Sequence, residues 1–372
     1  MLKRAALLLP MILVFAESAD NFANIPGDPG RSLVLIAATT PTDSYYGQYY
    51  ANITAFQIDF AKAVRDAGDN VLVLVDPGVA DDFLAELQAD LVLQQPMSDI
   101  WIRDYGTVRL DRPVLFTYEN DYLSASESRS IQKDFIEMLR IFCPDNLPQK
   151  TKTFSDGGNV VDNYRDTAIL SRRVIEDNRP LLALQTTREL GAALHYKKIV
   201  IVPDPADRTG HSDGMVSFID TNQLAITKVL KDWTPSIYRR TMRTLKCELP
   251  ELAANIVLLN DTYVDQQFDR FDSACGLHVN ALLTAKNLFV PVFGRDPINR
   301  EQYGQSVERD AQVLAQIRTH TRRSVRAVDV PNAVCRMGGA VRCLSAAIQG
   351  PLADCLVHAA QRNAKQPISG LP

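Results

Sequence analysis

Cys343, reached through Met337-Gly-Gly-Ala-Val-Arg-Cys343, is a thiol presented behind paired glycines and so a candidate nucleophile. Upstream, Asp104 lies in Trp101-Ile-Arg-Asp-Tyr-Gly106, and His211 and Asp213 share Thr209-Gly-His-Ser-Asp-Gly214. A guanidinium is planar, carries its N–H donors in a rigid fork and pairs bidentately with carboxylates. Two aspartates could therefore orient such a cation while a cysteine attacks its central carbon, which is the chemistry of deimination.

The remaining requirements follow from that attack. A cation beside a thiol lowers the thiol pKa, so the substrate itself would help make the thiolate. Loss of ammonia from the tetrahedral intermediate needs a proton donor, and histidine is the side chain best matched to that task near neutral pH. His211 and Asp213 are two residues apart, so in an extended stretch they face the same side and could line one pocket. Collapse would leave a covalent thiouronium on Cys343, which water activated by His211 would release as a ureido product. A cysteine hydrolase of amides fits less well, because paired aspartates would oppose the negative charge that develops on its oxyanion.

Elements able to hold these residues alternate along the chain. Period-2 runs predict strands over 32–38, 70–75, 91–94, 107–110, 114–117, 159–161, 167–170, 198–202, 215–219, 224–228, 256–259, 288–292 and 324–328. Amphipathic spacing predicts helices over 51–67, 81–89, 130–141, 181–194, 234–245 and 307–319. This gives an α/β fold, a doubly wound sheet or a closed ring of similar units, without a sequence repeat. With 372 residues and 46% hydrophobic content the chain can bury a large core, and no linker divides residues 20–372, so one domain is expected.

A net charge of −4, with no basic run, excludes the electrostatic footprint of a nucleic-acid binder. Lys3 and Arg4 followed by an apolar stretch from Ala5 to Ala16 predict an export signal over residues 1–19, cleaved between Ala16 and Ala19, and hence secretion; no membrane association beyond it is expected. Export would place the six cysteines where disulfides form. If Cys343 stays free, at least one other thiol must too, and Cys335 with Cys355, which bracket it, form a candidate bridge. Cys275 and His278 are spaced like metal ligands, but no second pair accompanies them, so no metal site is expected.

Taken together, the chain resembles the guanidine-modifying superfamily, and within it the group shared by agmatine deiminases and bacterial-type peptidylarginine deiminases. The carriers are Asp99-Ile-Trp-Ile-Arg-Asp-Tyr-Gly106, Asp156-Gly-Gly-Asn-Val160, Gly210-His-Ser-Asp-Gly-Met215, the segment from Asn280 to Gly294, and Gly338-Gly-Ala-Val-Arg-Cys343. The resemblance implies a five-bladed α/β propeller, or pentein, of pseudo-five-fold ββαβ units that needs no cofactor. It implies that Asp104 and Asp213 bind the guanidinium, that His211 is the general acid and base, and that Cys343 is the nucleophile. Asn280, Trp101, Arg103 and Asn159 are the implied substrate-binding residues. Arg342, before the nucleophile, departs from the His typical of agmatine deiminases, and Arg109, Arg112 and Arg129 match no motif for holding an α-carboxylate. The expected activity is a secreted peptidylarginine deiminase acting on peptides or proteins; the alternatives are a deiminase of agmatine or another small guanidine, and a non-catalytic arginine-binding protein.

Overall fold

The computed structural model describes residues 24–365 apart from 120–122, 206–207, 228–234, 254, 260–266 and 269–270. The expected leader over 1–19 lies outside the described residues. One small motif recurs: a strand, an antiparallel neighbour, a helix, then a strand parallel to that neighbour. It occurs with Val161–Asp162, Thr167–Ser171 and Lys198–Val202, with Val216–Asp220, Gln223–Thr227 and Ile256–Leu259, and with Leu282–Leu283, Asn287–Val292 and Ser324–Asp329. A fourth copy uses the single bridge Val108↔Val114 in place of a first strand, with Val114–Thr117 and Gln149–Phe154 parallel. The fifth joins distant parts of the chain: Ser345–Ile348 pairs antiparallel with Leu33–Ala37, which pairs parallel with Asn70–Val75.

The fold class is therefore α/β, as expected, but built from separate small sheets rather than one doubly wound sheet. The expected strand over 107–110 shrinks to one bridge because Arg109 takes a positive φ of 67°, which breaks the extended run. The strand expected over 159–161 begins at Val161, because Gly157–Asn159 forms a tight helical turn instead. Ser345–Ile348 and the helix Pro351–Lys365 escaped the sequence reading, since an Ala-rich run carries little period-2 contrast.

Alternation within the sheet containing Leu33–Ala37 sends its side chains to two cores. Val34, Ile36, Val71 and Val73 pack with Phe56 and Phe60 of the helix Tyr50–Asp66 on one face. Leu33, Leu35, Leu72 and Leu74 pack with Phe135, Leu356 and Val357 on the other. Phe60 is fully buried edge-on to Phe289 at 6.0 Å, and truncation of such a ring costs about 3–5 kcal/mol. These two cores also explain why the candidate Cys335–Cys355 bridge does not form. Cys335 lies in the first core and pairs with Cys275; Cys355 packs on the second and pairs with Cys143. Cys247 and Cys343 are free. No helix among the described residues is long and apolar enough to cross a membrane.

Candidate active site

Each of the five units presents one polar residue from the segment just before its first strand or bridge: Asp104, Asn159, Asp213, Asn280 and Cys343. Asp104 sits in the helical turn Ile102–Tyr105, and Asp213 in the turn Ser212–Gly214. Cys343 follows the turns after Asn332–Cys335, and its backbone carbonyl accepts from the Arg103 N–H at 3.3 Å.

Asn280 fixes the nucleophile. Its Oδ1 accepts from the backbone N–H groups of Ala340 (3.2 Å) and Cys343 (3.3 Å), while its Nδ2 donates to Cys343 Sγ at 3.1 Å. Cys343 Sγ lies 3.7 Å from Asp213 Oδ2. Across the site, His211 Nδ1 is 3.8 Å from Asp104 Oδ1, and its Nε2 is 3.0 Å from Asp156 Oδ2. Asp104 also accepts from the Gly158 N–H at 3.2 Å. A Cβ on Gly158 would stand 2.5 Å from His211 Nδ1 and 2.7 Å from Asp104 Oδ1, so this position requires glycine for the two to meet. Gly339 does the same for the nucleophile: a Cβ there would lie 2.8 Å from Cys343 Cβ and strike the Trp101 ring.

Burial sets the electrostatics. It pushes the Asp104 carboxyl up to about 8, partly countered by His211. For His211, burial disfavours the charged form, yet Asp104, then Asp156 and Asp213, outweigh it and lift the pKa to about 10. Burial holds the Cys343 thiol well above its ordinary range, with Asp213 and Asp104 adding to the effect. A cation placed between the two aspartates would oppose the carboxylate repulsion that adds to burial in keeping protons on Asp104 and on sulfur.

Asp104, His211, Trp101 and Cys343 line one cavity of about 470 Å³. Three expected substrate-binding residues, Asn280, Arg103 and Asn159, do not line it, and neither does Asp213, which reaches Cys343 from behind. Arg103 is buried with its Nε toward the Arg342 carbonyl oxygen at 3.5 Å, because successive residues of a helical turn point about 100° apart and Asp104 takes the pocket side. Asn159 spends its Oδ1 on the N–H groups of Ser171 (2.8 Å) and Ser212 (3.2 Å), which ties its unit to the turn carrying His211 and Asp213. Arg342 also turns away from the cavity, donating to Val160 O at 2.5 Å and meeting Asp213 Oδ2 at 3.4 Å. Sequence reasoning missed Asp156 as the partner of His211, although it heads the segment Asp156-Gly-Gly-Asn-Val160; an aspartate before paired glycines was the available signal. Among the described residues, no group of three or more His, Cys, Asp or Glu side chains is placed to hold a metal ion.

Several solved structures share this fold. The agmatine deiminase of C. jejuni superposes with a TM-score of 0.68 at 17% identity, covering 87% of this chain and 95% of its own. A substrate-bound variant of a C. jejuni agmatine deiminase gives 0.67 at 17% identity, covering 88% of this chain and 96% of its own. The agmatine deiminase of Enterococcus faecalis gives 0.61 at 16%, covering 87% of this chain and 95% of its own. No curated protein matches the chain in sequence. The family model of Porphyromonas-type peptidyl-arginine deiminases matches residues 31–349, a span that takes in every residue of the site. The chain thus belongs to the Porphyromonas-type peptidyl-arginine deiminase family, guanidino-group deiminases of the pentein type.

Proposed function

We propose that the chain is a secreted deiminase that converts peptidyl arginine to citrulline and ammonia, its five units closing into a propeller around the site. The observation that carries this reading is the placement of Cys343 Sγ 3.7 Å from Asp213, in the cavity that Asp104 and His211 also line. The guanidinium lies between Asp104 and Asp213, and its charge favours the Cys343 thiolate, the thiol proton leaving to solvent as substrate binds. Sulfur attacks the central carbon, forming a C–S bond. His211, charged in the free protein, gives a proton to one amino group, and the C–N bond breaks as ammonia leaves. Neutral His211 then takes a proton from water as its oxygen adds to the thiouronium carbon. The C–S bond breaks, the thiolate returns, and the hydroxyl proton is released to solvent, where it balances the ammonia already freed as ammonium. Asn280, donating to Sγ, stabilises the thiolate at both ends of the cycle.

The bonds Cys143–Cys355 and Cys275–Cys335 suit an oxidising compartment and support export. Hydrolysis of agmatine is the second reading, favoured by the structural likeness to agmatine deiminases. The test is ammonia release, with mass detection of citrulline, on an internal-arginine peptide, a C-terminal-arginine peptide, free arginine and agmatine. Turnover of peptides supports the first reading. Turnover of agmatine alone replaces it with the second, and turnover of nothing removes both.

A further inference from the structure

The cavity changes character along its depth. Its floor is made by Cys343, Asp104 and His211, all buried, whereas Ser44, Ser98 and Glu127 at its other end are exposed. The methylene chain of an arginine bound at the floor carries its α-carbon into this outer part, whose walls hold Asp43, Asp99 and Glu127.

These carboxylates are held in place by their own backbone neighbourhoods. Asp43 Oδ1 accepts from the N–H groups of Tyr45 (2.8 Å) and Tyr46 (2.7 Å), neutral donors that fix the carboxylate and add no positive charge. Glu127 closes the capping box at the start of the helix Ala125–Phe142, accepting from the Ser124 N–H at 2.8 Å. Asp99 links rim to floor: it accepts from the Tyr46 hydroxyl at 3.0 Å, is raised by burial and then by Asp43, and in turn raises Asp104. No Lys or Arg lines the cavity among the described residues. Of the arginines next in sequence to lining residues, Arg129 pairs with Glu119, and Arg336 lies over the Tyr49 ring at 5.6 Å.

We propose that Asp43 and Glu127 are specificity-determining residues that select guanidino substrates whose far end bears no carboxylate, as in an internal arginine or an aminoalkylguanidine. This rests on the deiminase reading of the same cavity. A substrate carboxylate entering the outer wall meets like charge, whereas an amide or an ammonium does not.

The test compares Nα-acetylarginine with Nα-acetylargininamide, with agmatine as a third arm, in the full chain and in an Asp43→Asn/Glu127→Gln variant. Asn and Gln keep the oxygen acceptors of the turn and the capping box, so the variant retains both local structures. At low salt the acid should be processed roughly tenfold less efficiently than the amide through KM, and the gap should shrink with added salt. The variant should close the gap by improving the acid. Equal or better turnover of the acid, or a gap that the variant leaves untouched, overturns the proposal. A Cys343→Ala protein titrated with the same pair separates this from failure of the deiminase reading. Tighter binding of the amide supports the selection even without turnover, and equal binding rejects it.

Discussion

The two aspartates beside Cys343 sit in unlike surroundings. Asp213 is backed by the Arg342 guanidinium at 3.4 Å, itself pinned to the Val160 carbonyl. Asp104 instead faces His211, which is held on its far side by Asp156. A carboxylate backed by a buried arginine is held in place to anchor its ligand. One that shares its proton balance with a histidine can change charge as a cation arrives. On the proposed mechanism the same residue type thus holds on one side and handles protons on the other.

The largest effect should come from the atom both halves serve: Cys343→Ala should lower turnover by about 10⁴-fold or more, read as ammonia release in a single turnover. Asp213→Asn should lose about 10³-fold in kcat/KM with little change in Tm. Activity retained there would break the anchoring half of the comparison. Asp104→Asn should cost less, about 10²-fold, and should also change the pH profile. Since the Asp104 carboxylate is the chief group raising His211, its removal lowers that pKa, and the alkaline fall in activity should move to lower pH. An unmoved alkaline limb would show that Asp104 does not tune the histidine.

The smallest effect is on stability. Asp104 is raised from 3.8 to about 8 and His211 from 6.5 to about 10, so each binds its proton more tightly folded than unfolded. Their contributions are fully present below pH 3.8 and 6.5 respectively, and are lost as pH rises through about 8 and about 10. Tm of the free protein should therefore fall from neutral pH toward about 10, and Asp104→Asn should flatten the earlier part of that fall. A Tm flat with pH in the parent protein would contradict the buried proton balance.

Much of this was legible in the chain, because the site residues sit in short segments where glycine and polar groups interrupt apolar strands. Asp104, His211, Asp213 and Cys343 could be named on that ground, and Asn280 only through the family resemblance. Direction could not be read the same way. Arg103 and Asn159 belong to the same segments, but membership of a motif does not say which way a side chain points out of a turn. Contacts between units were hidden as well. Tyr196 donates to Asp162 within one unit, and Arg109 of the neighbouring unit stacks on Tyr196 at 4.5 Å, pairings set by tertiary packing rather than by local spacing. The disulfides show the same limit, since Cys143 and Cys355 are 212 residues apart while the nearer pair Cys335 and Cys355 occupy opposite faces of one sheet.

The unit that carries the nucleophile is assembled from distant parts of the chain, with Ser345–Ile348 laid against Leu33–Ala37. During synthesis, Asp104, His211, Asp213 and Asn280 are all made before the thiol, and the strand that aims the thiol is the last of the described strands to emerge. A ribosome-bound intermediate can thus form most of the guanidinium cradle without any reactive sulfur beside it. On the proposed mechanism, chemical competence then arrives in a single late event, when the newest of the described strands finds the oldest, and a chain that lacks this strand has no aimed thiol.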